Sequence, residues 1–314
     1  MKAGLDLGGT NIQAVVTDGG AEVVGQARRE TPREGGPKAV AFELAEALRD
    51  ALDDAGVEAM ALSGIGVGAP GSIDPKAGTV LQAANIEGWV EPFPLARVLE
   101  EELSRPVALG NDVTVAVEAE RRFGAGRSYD SFLGVFWGTG VGGGIVLDGK
   151  VWEGRGSAAE VGHIVARPGG RRCNCGLRGC VEAYAGRGAM EERAREMARR
   201  HPTMLFEIQE RRGRLRLTSG VWARALEQGD ELAHTLIERA VGALGVGIGS
   251  AVTLLDVEAV IMGGGFGLRL GEEWLHRVEA ATQKHLFRRE QPPDFRLAEL
   301  GDLGGAIGAT LIAR

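Results

Sequence analysis

All three cysteines of the chain fall within the eight residues CNCGLRGC, as Cys173, Cys175 and Cys180, and His163 stands ten positions before the first of them. Thiolate sulfur and imidazole nitrogen are the donors tetrahedral zinc takes, and a Cys3His set closes its shell to water and substrate. The spacing therefore predicts a structural zinc site. Reduced thiols packed in a loop, or a redox pair, are the competing readings. Glu160 in AAEVGH and Glu182 in GCVEAY flank the cluster, so a loop clamped by metal would hold two carboxylates rigidly toward a ligand.

Three glycine-rich stretches each follow an apolar run: Gly8-Gly9-Thr10-Asn11, Gly138-Thr139-Gly140 through Gly142, Gly143 and Gly144, and Gly263-Gly264-Gly265. Such stretches can aim backbone N–H groups at anionic oxygens, because glycine permits tight turns and close approach. Taken singly, each is also an ordinary hairpin turn. GTGVGG matches GxGxxG by letter, but a dinucleotide fingerprint needs a helix next, and GIVLDGKVW reads as strand. No HRD, DFG or GxxxxGK[ST] occurs, which argues against protein kinases and P-loop NTPases. Asp6 ends the first apolar run, where a carboxylate can reach a phosphate-bound magnesium or cap a turn. Asp112 follows Asn111 at a strand-to-helix junction. The pair can accept a proton and fix a hydroxyl, or simply cap a helix.

The elements that must position these groups follow from periodicity. KAGLDL and IQAVVT are short strands joined by GGTN, and AEVVGQARRE is a third. Residues 38–54 carry helical spacing, LSGIGVGAPG a buried strand, RPVALG another, and a helix begins near Asn111. From Ser131 the opening order recurs: FLGVFWG, a glycine turn, then GIVLDGKVW. A repeat of strand, glycine turn and strand predicts a duplicated unit, two halves facing each other across a cleft. Residues 187–241 read as mostly helical, and the basic segment HPTMLFEIQERRGRLRL as a solvated surface excursion.

Fifty glycines in 314 residues are about twice the usual share, without the triplet period of collagen. With 36 basic and 43 acidic residues the net charge is −7, which argues against a nucleic-acid footprint. No apolar run reads as a membrane span, and free thiols fit a cytoplasmic protein.

LDLGGTN, GVGAPG, GND, GTGVGGG, EVGH, CNCGLRGCVE and IMGGG, in that order, resemble the ROK family of bacterial sugar kinases, and among them the glucokinases. The resemblance implies an α/β, duplicated RNase H-like fold of the actin/Hsp70/hexokinase type. Its small lobe would be 1–110, completed by a C-terminal helix at about 297–314, and its large lobe 111–296. It implies ATP-dependent transfer to the 6-hydroxyl of a hexose, with Asp112 as general base. Gly71, Asn85, Asn111, Glu160, His163 and Glu182 would line the sugar pocket. Gly8, Gly9, Thr10 and Asn11, with Gly138, Thr139, Gly140, Gly142 and Gly143, would contact phosphates. Gly264 and Gly265 would lie near the adenosine, Asp6 would handle Mg2+, and His163 with the three cysteines would bind zinc. A homodimer or dimer of dimers is implied as well.

The chain departs from the family pattern at Gly110 and Val113-Thr114 around Asn-Asp, at Ala185-Gly186, and at Leu255-Asp256 before the third glycine stretch. None of these removes a residue assigned to chemistry. The alternatives are a kinase for N-acetylmannosamine, N-acetylglucosamine, fructose or allose, and a sugar-sensing regulator. A regulator would carry an N-terminal helix-turn-helix, whereas the first strand is expected from Lys2.

Overall fold

The computed structural model describes residues 1–314 except 84, 85 and 87. The chain opens with β1 (Lys2–Leu7), β2 (Asn11–Thr17) and β3 (Val23–Glu30), followed by α1 (Gly36–Ala55), β4 (Gly64–Ala69), a small hairpin of β5 (Ser72–Asp74) and β6 (Thr79–Gln82), α2 (Leu95–Leu103), β7 (Val107–Asn111) and α3 (Asp112–Phe123). These strands form a sheet in the order β3-β2-β1-β4-β7, antiparallel within the opening meander and parallel for β1/β4 and β4/β7.

Alternation explains the packing. Ala3, Leu5 and Leu7 share one face of β1 and are wholly buried in a core with Leu44 and Leu48 of α1. Helix α1 starts with proline in its first turn and stops at Gly56, where φ is 65°. The opposite face lies under the C-terminal helix Gly304–Ile312, which needs glycine beneath it. A Cβ on Gly66 would fall 1.7 Å from the Ala309 carbonyl oxygen. Part of the glycine excess thus serves sheet–helix contact rather than ligand loops.

The second half repeats the plan with β8 (Phe132–Trp137), β9 (Val141–Leu147), β10 (Lys150–Val151), β11 (Ala259–Gly263) and β12 (Asp294–Leu297), in the order β10-β9-β8-β11-β12. The antiparallel meander and two parallel pairings recur, so the duplication expected from the repeat is present in the strand order itself. Between β10 and β11 come α4 (Glu182–Ala185), α5 (Arg187–Met197), α6 (Leu205–Arg211), α7 (Ser219–Glu227) and α8 (Glu231–Leu255), and α9 (Gly267–Gln283) precedes β12. The C-terminal helix is α10.

Two compact units result, Met1–Arg127 with Asp302–Arg314, and Ser128–Gly301. The expected boundary after 110 shifts, because α3 packs on α10: a Cβ on Gly308 would lie 2.0 Å from the Val115 carbonyl oxygen. The terminal helix is also shorter than expected. Residues Asp294–Leu297 form an edge strand paired to β11, and α10 begins only at Gly304. The basic segment is not wholly a surface excursion, since Leu205, Ile208 and Leu217 are buried in the second unit's core. Helix α8 is long and apolar enough to cross a membrane by length and composition, yet its apolar side, including Leu236, Ile237 and Leu244, belongs to that core.

Candidate functional site

In the first unit the parallel register brings the candidate residues to one sheet edge. Asp6 pairs with Gly68, Gly68 with Gly110, and Asn111 follows at the end of β7 opposite Ala69. Gly8, Gly9 and Thr10 form the turn leaving β1, closed by Gly8 N–H donating to the Asn11 carbonyl at 3.0 Å. Asn11 itself is the first residue of β2. The turn is braced by a residue that no motif indicated. Thr31 is nearly buried, donates its hydroxyl to the Gly8 carbonyl at 2.6 Å and its N–H to Thr10 at 3.0 Å.

Asp6 is far from its ordinary state. Although part-exposed, its carboxyl is crowded by protein: a Cβ on Gly305 would lie 2.5 Å from its Oδ2. Burial first, and the negative charge of Asp112 second, push its pKa up to about 7. The Asp6 carboxyl accepts no hydrogen bond among the described residues, so a cation would offset both effects. Asn111 is a true helix cap, its Oδ1 accepting the N–H groups of Val113 and Thr114 at 3.1 Å each. Its amide nitrogen keeps its donors. Asp112 opens α3 and accepts the Val113 N–H at 2.9 Å. Gly71 lies in the turn after β4 with φ of 84°, and Asn85 lies outside the described residues.

In the second unit the glycine stretch after β8 is shorter than its sequence implies. Gly138, Thr139 and Gly140 make the turn, while Gly142 and Gly143 are strand residues of β9 paired with Phe136 and Val135. Their backbone groups belong to the ladder, because pairing continues up to Trp137 and Val141. Gly264 and Gly265 leave the adjacent parallel strand β11. Trp137 and Phe266 flank the two turns and meet edge to face, ring centres 5.1 Å apart.

The junction of α4 and α5 clamps the first turn. Glu182 accepts the Val141 N–H at 2.9 Å through Oε2, and a Cβ on Gly140 would lie 2.3 Å from that oxygen. Arg187, another residue sequence motifs do not flag, donates to the Thr139 hydroxyl at 2.8 Å and the Leu217 carbonyl at 3.0 Å. Burial lowers its pKa.

His163, Cys173, Cys175 and Cys180 place one donor atom each within 4.8 Å of one another. His163 Nδ1 is 3.7 Å from Cys173 Sγ, and Cys175 and Cys180 sulfurs are 3.7 Å apart. Tetrahedral zinc with bonds of about 2.3 Å to sulfur sets its sulfurs about 3.8 Å apart, so this donor set fits that ion. Burial, then hydrogen bonds to the Cys175 and Cys173 sulfurs, then their charges, push Cys180 up to about 12. Burial also raises Cys173, whereas at Cys175 burial is outweighed by hydrogen bonds from the Leu177 backbone and the other thiols, which lower it. With Nδ1 turned to the cluster, His163 Nε2 faces outward, 4.0 Å from Glu160, whose side chain is exposed. The Val181 N–H donates to the Ile164 carbonyl at 2.9 Å, joining the His163 and Cys180 segments.

The ROK family model matches residues 2–314. A glucokinase of Thermotoga maritima is 35% identical over 86% of this chain and 83% of its own length. An N-acetylmannosamine kinase of Haemophilus influenzae is 32% identical over 97% of this chain and 92% of its own. The structure of a ROK family glucokinase from Streptomyces griseus, in complex with glucose and AMPPNP, superposes with a TM-score of 0.86, 32% identity and coverage of 100% and 99% of the two chains. The architecture is therefore that of the actin/hexokinase-type duplicated fold. The chain belongs to the ROK family.

Proposed function

We propose that the protein phosphorylates a hexose at its 6-hydroxyl with ATP, converting glucose to glucose 6-phosphate. The observation that carries the reading is the meeting of Asp6, the Gly8–Thr10 turn, Asn111 and Asp112 at one sheet edge. Asp112 takes the proton from the 6-hydroxyl as that oxygen bonds to the γ-phosphorus and the bond to the bridging oxygen of ADP breaks. Asp6 would hold Mg2+, directly or through its waters, and the ion supplies charge neutralisation on the phosphates. The backbone of Gly8–Thr10 and Gly138–Gly140 adds fixed N–H dipoles, and Gly264-Gly265 lies toward the adenosine.

Asn111 donates its amide, Gly71 and Asn85 are further sugar-binding residues by the family resemblance, and Glu160, Glu182 and the Nε2–H of His163 take further hydroxyls. Zinc held by His163 and the three cysteines would fix the tautomer and direction of that imidazole. Glucose is favoured because glucokinases stand among the relatives and one was solved with glucose bound. N-acetylmannosamine is the second reading, since a kinase for it is about as similar. We further propose a cytoplasmic homodimer, in line with the three free cysteines.

A coupled ADP-release assay over glucose, mannose, fructose, allose and the N-acetylhexosamines tests this. Highest kcat/KM on glucose is expected. Highest on N-acetylmannosamine would move the substrate to the second reading, and no turnover on any sugar would refute kinase activity.

A further inference from the structure

The second unit contains a cavity of about 350 Å3 that shares no lining residue with the glycine turns or the Cys3His cluster. Four arginines line it, Arg167, Arg171, Arg193 and Arg239, over a floor of Met190 and Leu236, both almost fully buried. Among the described residues no acidic side chain lines it. That concentration of positive charge runs against a chain whose net charge is −7.

All four guanidinium groups are held, and among the described residues only Arg193 of the four forms a salt bridge. Arg167 lies over the Tyr184 ring, 5.1 Å from its centre. Tyr184 accepts the backbone N–H of Arg171 at 3.0 Å, and the Arg171 side chain reaches only the Ala189 carbonyl at 3.5 Å. Arg239 reaches the Met197 sulfur at 3.8 Å. Glu196 pairs with Arg193 at 2.8 Å. Among the described residues Arg167, Arg171 and Arg239 form no salt bridge, and Glu196, held by Arg193, also feels the charge of Arg171. Like charges gathered in a concave, partly apolar site raise its energy, and an anion entering it is attracted by all of them.

We propose that this cavity binds a small phosphorylated anion, a phosphomonoester or pyrophosphate, at a site separate from the reacting groups. Planar guanidinium forks match phosphate oxygens two at a time. The volume sits at the small end of ligand pockets, room for a phosphate and a compact carrier over the Met190–Leu236 floor. Tyr184 is two residues from Glu182, so the anion would bind beside the short helix whose first residue holds the glycine turn.

Isothermal titration of the full-length protein with glucose 6-phosphate and, separately, inorganic pyrophosphate tests the site. The comparison is an Arg193→Glu/Arg239→Glu double variant, altered where α5 and α8 reach solvent. Binding of at least one anion, weakened 10-fold or more in the double variant and weakened by added KCl, is the expected result. Binding of the sugar phosphate alone identifies a phosphomonoester site, and of pyrophosphate alone an inorganic one. Should the double variant fail to fold, Arg239→Gln is expected to weaken binding in the same direction. Equal binding by wild type and folded variant, or none by wild type, overturns the proposal.

Discussion

Glu182 and Val141 are joined by a 2.9 Å hydrogen bond from the Val141 N–H to the Glu182 carboxylate, which ties the segment following Cys180 to the glycine turn after β8. In the proposed function one carboxylate would thereby be shared between holding the phosphate turn and meeting a sugar hydroxyl. Glu182→Gln keeps an acceptor for Val141 and should lose less than tenfold in kcat/KM. Glu182→Ala removes it and should lose about 10- to 100-fold, the worth of a charge-assisted hydrogen bond. Steady-state kinetics with both substrates varied check this. Equal losses in the two variants would show that the turn does not depend on the bond.

Asp6 has a pKa raised to about 7, so its native carboxyl prefers the proton. Its unfolded pKa is near 3.8. The native state therefore binds more protons between these values, and the group's contribution to stability falls as pH rises from about 4 to 7. Without magnesium, Asp6→Asn should be more stable than wild type at pH 8, on the order of 1–2 kcal/mol after allowance for solvent access, with the gap closing by pH 4. Magnesium should bind wild type more tightly as pH rises through 7 and the variant weakly throughout. Thermal melts across pH check the first point, and a gap that ignores pH would contradict it.

Much of this site was legible before any coordinates. The Cys3His spacing named its own donors, and the repeat of strand, glycine turn and strand announced the duplicated sheets. What the sequence hid is pairing and depth. Gly142 and Gly143 look like loop glycines, but the ladder with Phe136 and Val135 takes them. Thr31 and Arg187 brace the two turns from positions with no motif around them, because their role depends on long-range contact. The buried Leu205, Ile208 and Leu217 were masked by the arginines and glutamates surrounding them, which break helical periodicity.

The cysteine cluster should hold one zinc per chain. Cys173→Ser or Cys175→Ser should lower zinc content and reduce Tm by roughly 5 °C or more, since a structural metal contributes directly to folding. Elemental analysis with thermal melts checks this. A fully folded protein purified without metal, and equally stable with and without added zinc, would contradict it.

Asn111 caps α3 and in the proposed function would offer its amide to the sugar, and the two roles separate by substitution. Asn111→Ser keeps a capping oxygen, so stability should change by no more than about 0.5 kcal/mol, while sugar affinity falls about tenfold with the lost donor. Denaturant unfolding beside sugar titration checks both. Unchanged sugar affinity would leave Asn111 a cap alone.

The central claim is that Asp112 accepts the proton of the attacking hydroxyl. Glucose binding and ADP release, measured side by side for wild type and Asp112→Asn, test it most directly. The variant should keep glucose affinity within a few fold and lose at least about 100-fold in kcat, the scale of general-base catalysis. A variant that binds glucose and turns over near the wild-type rate would contradict it.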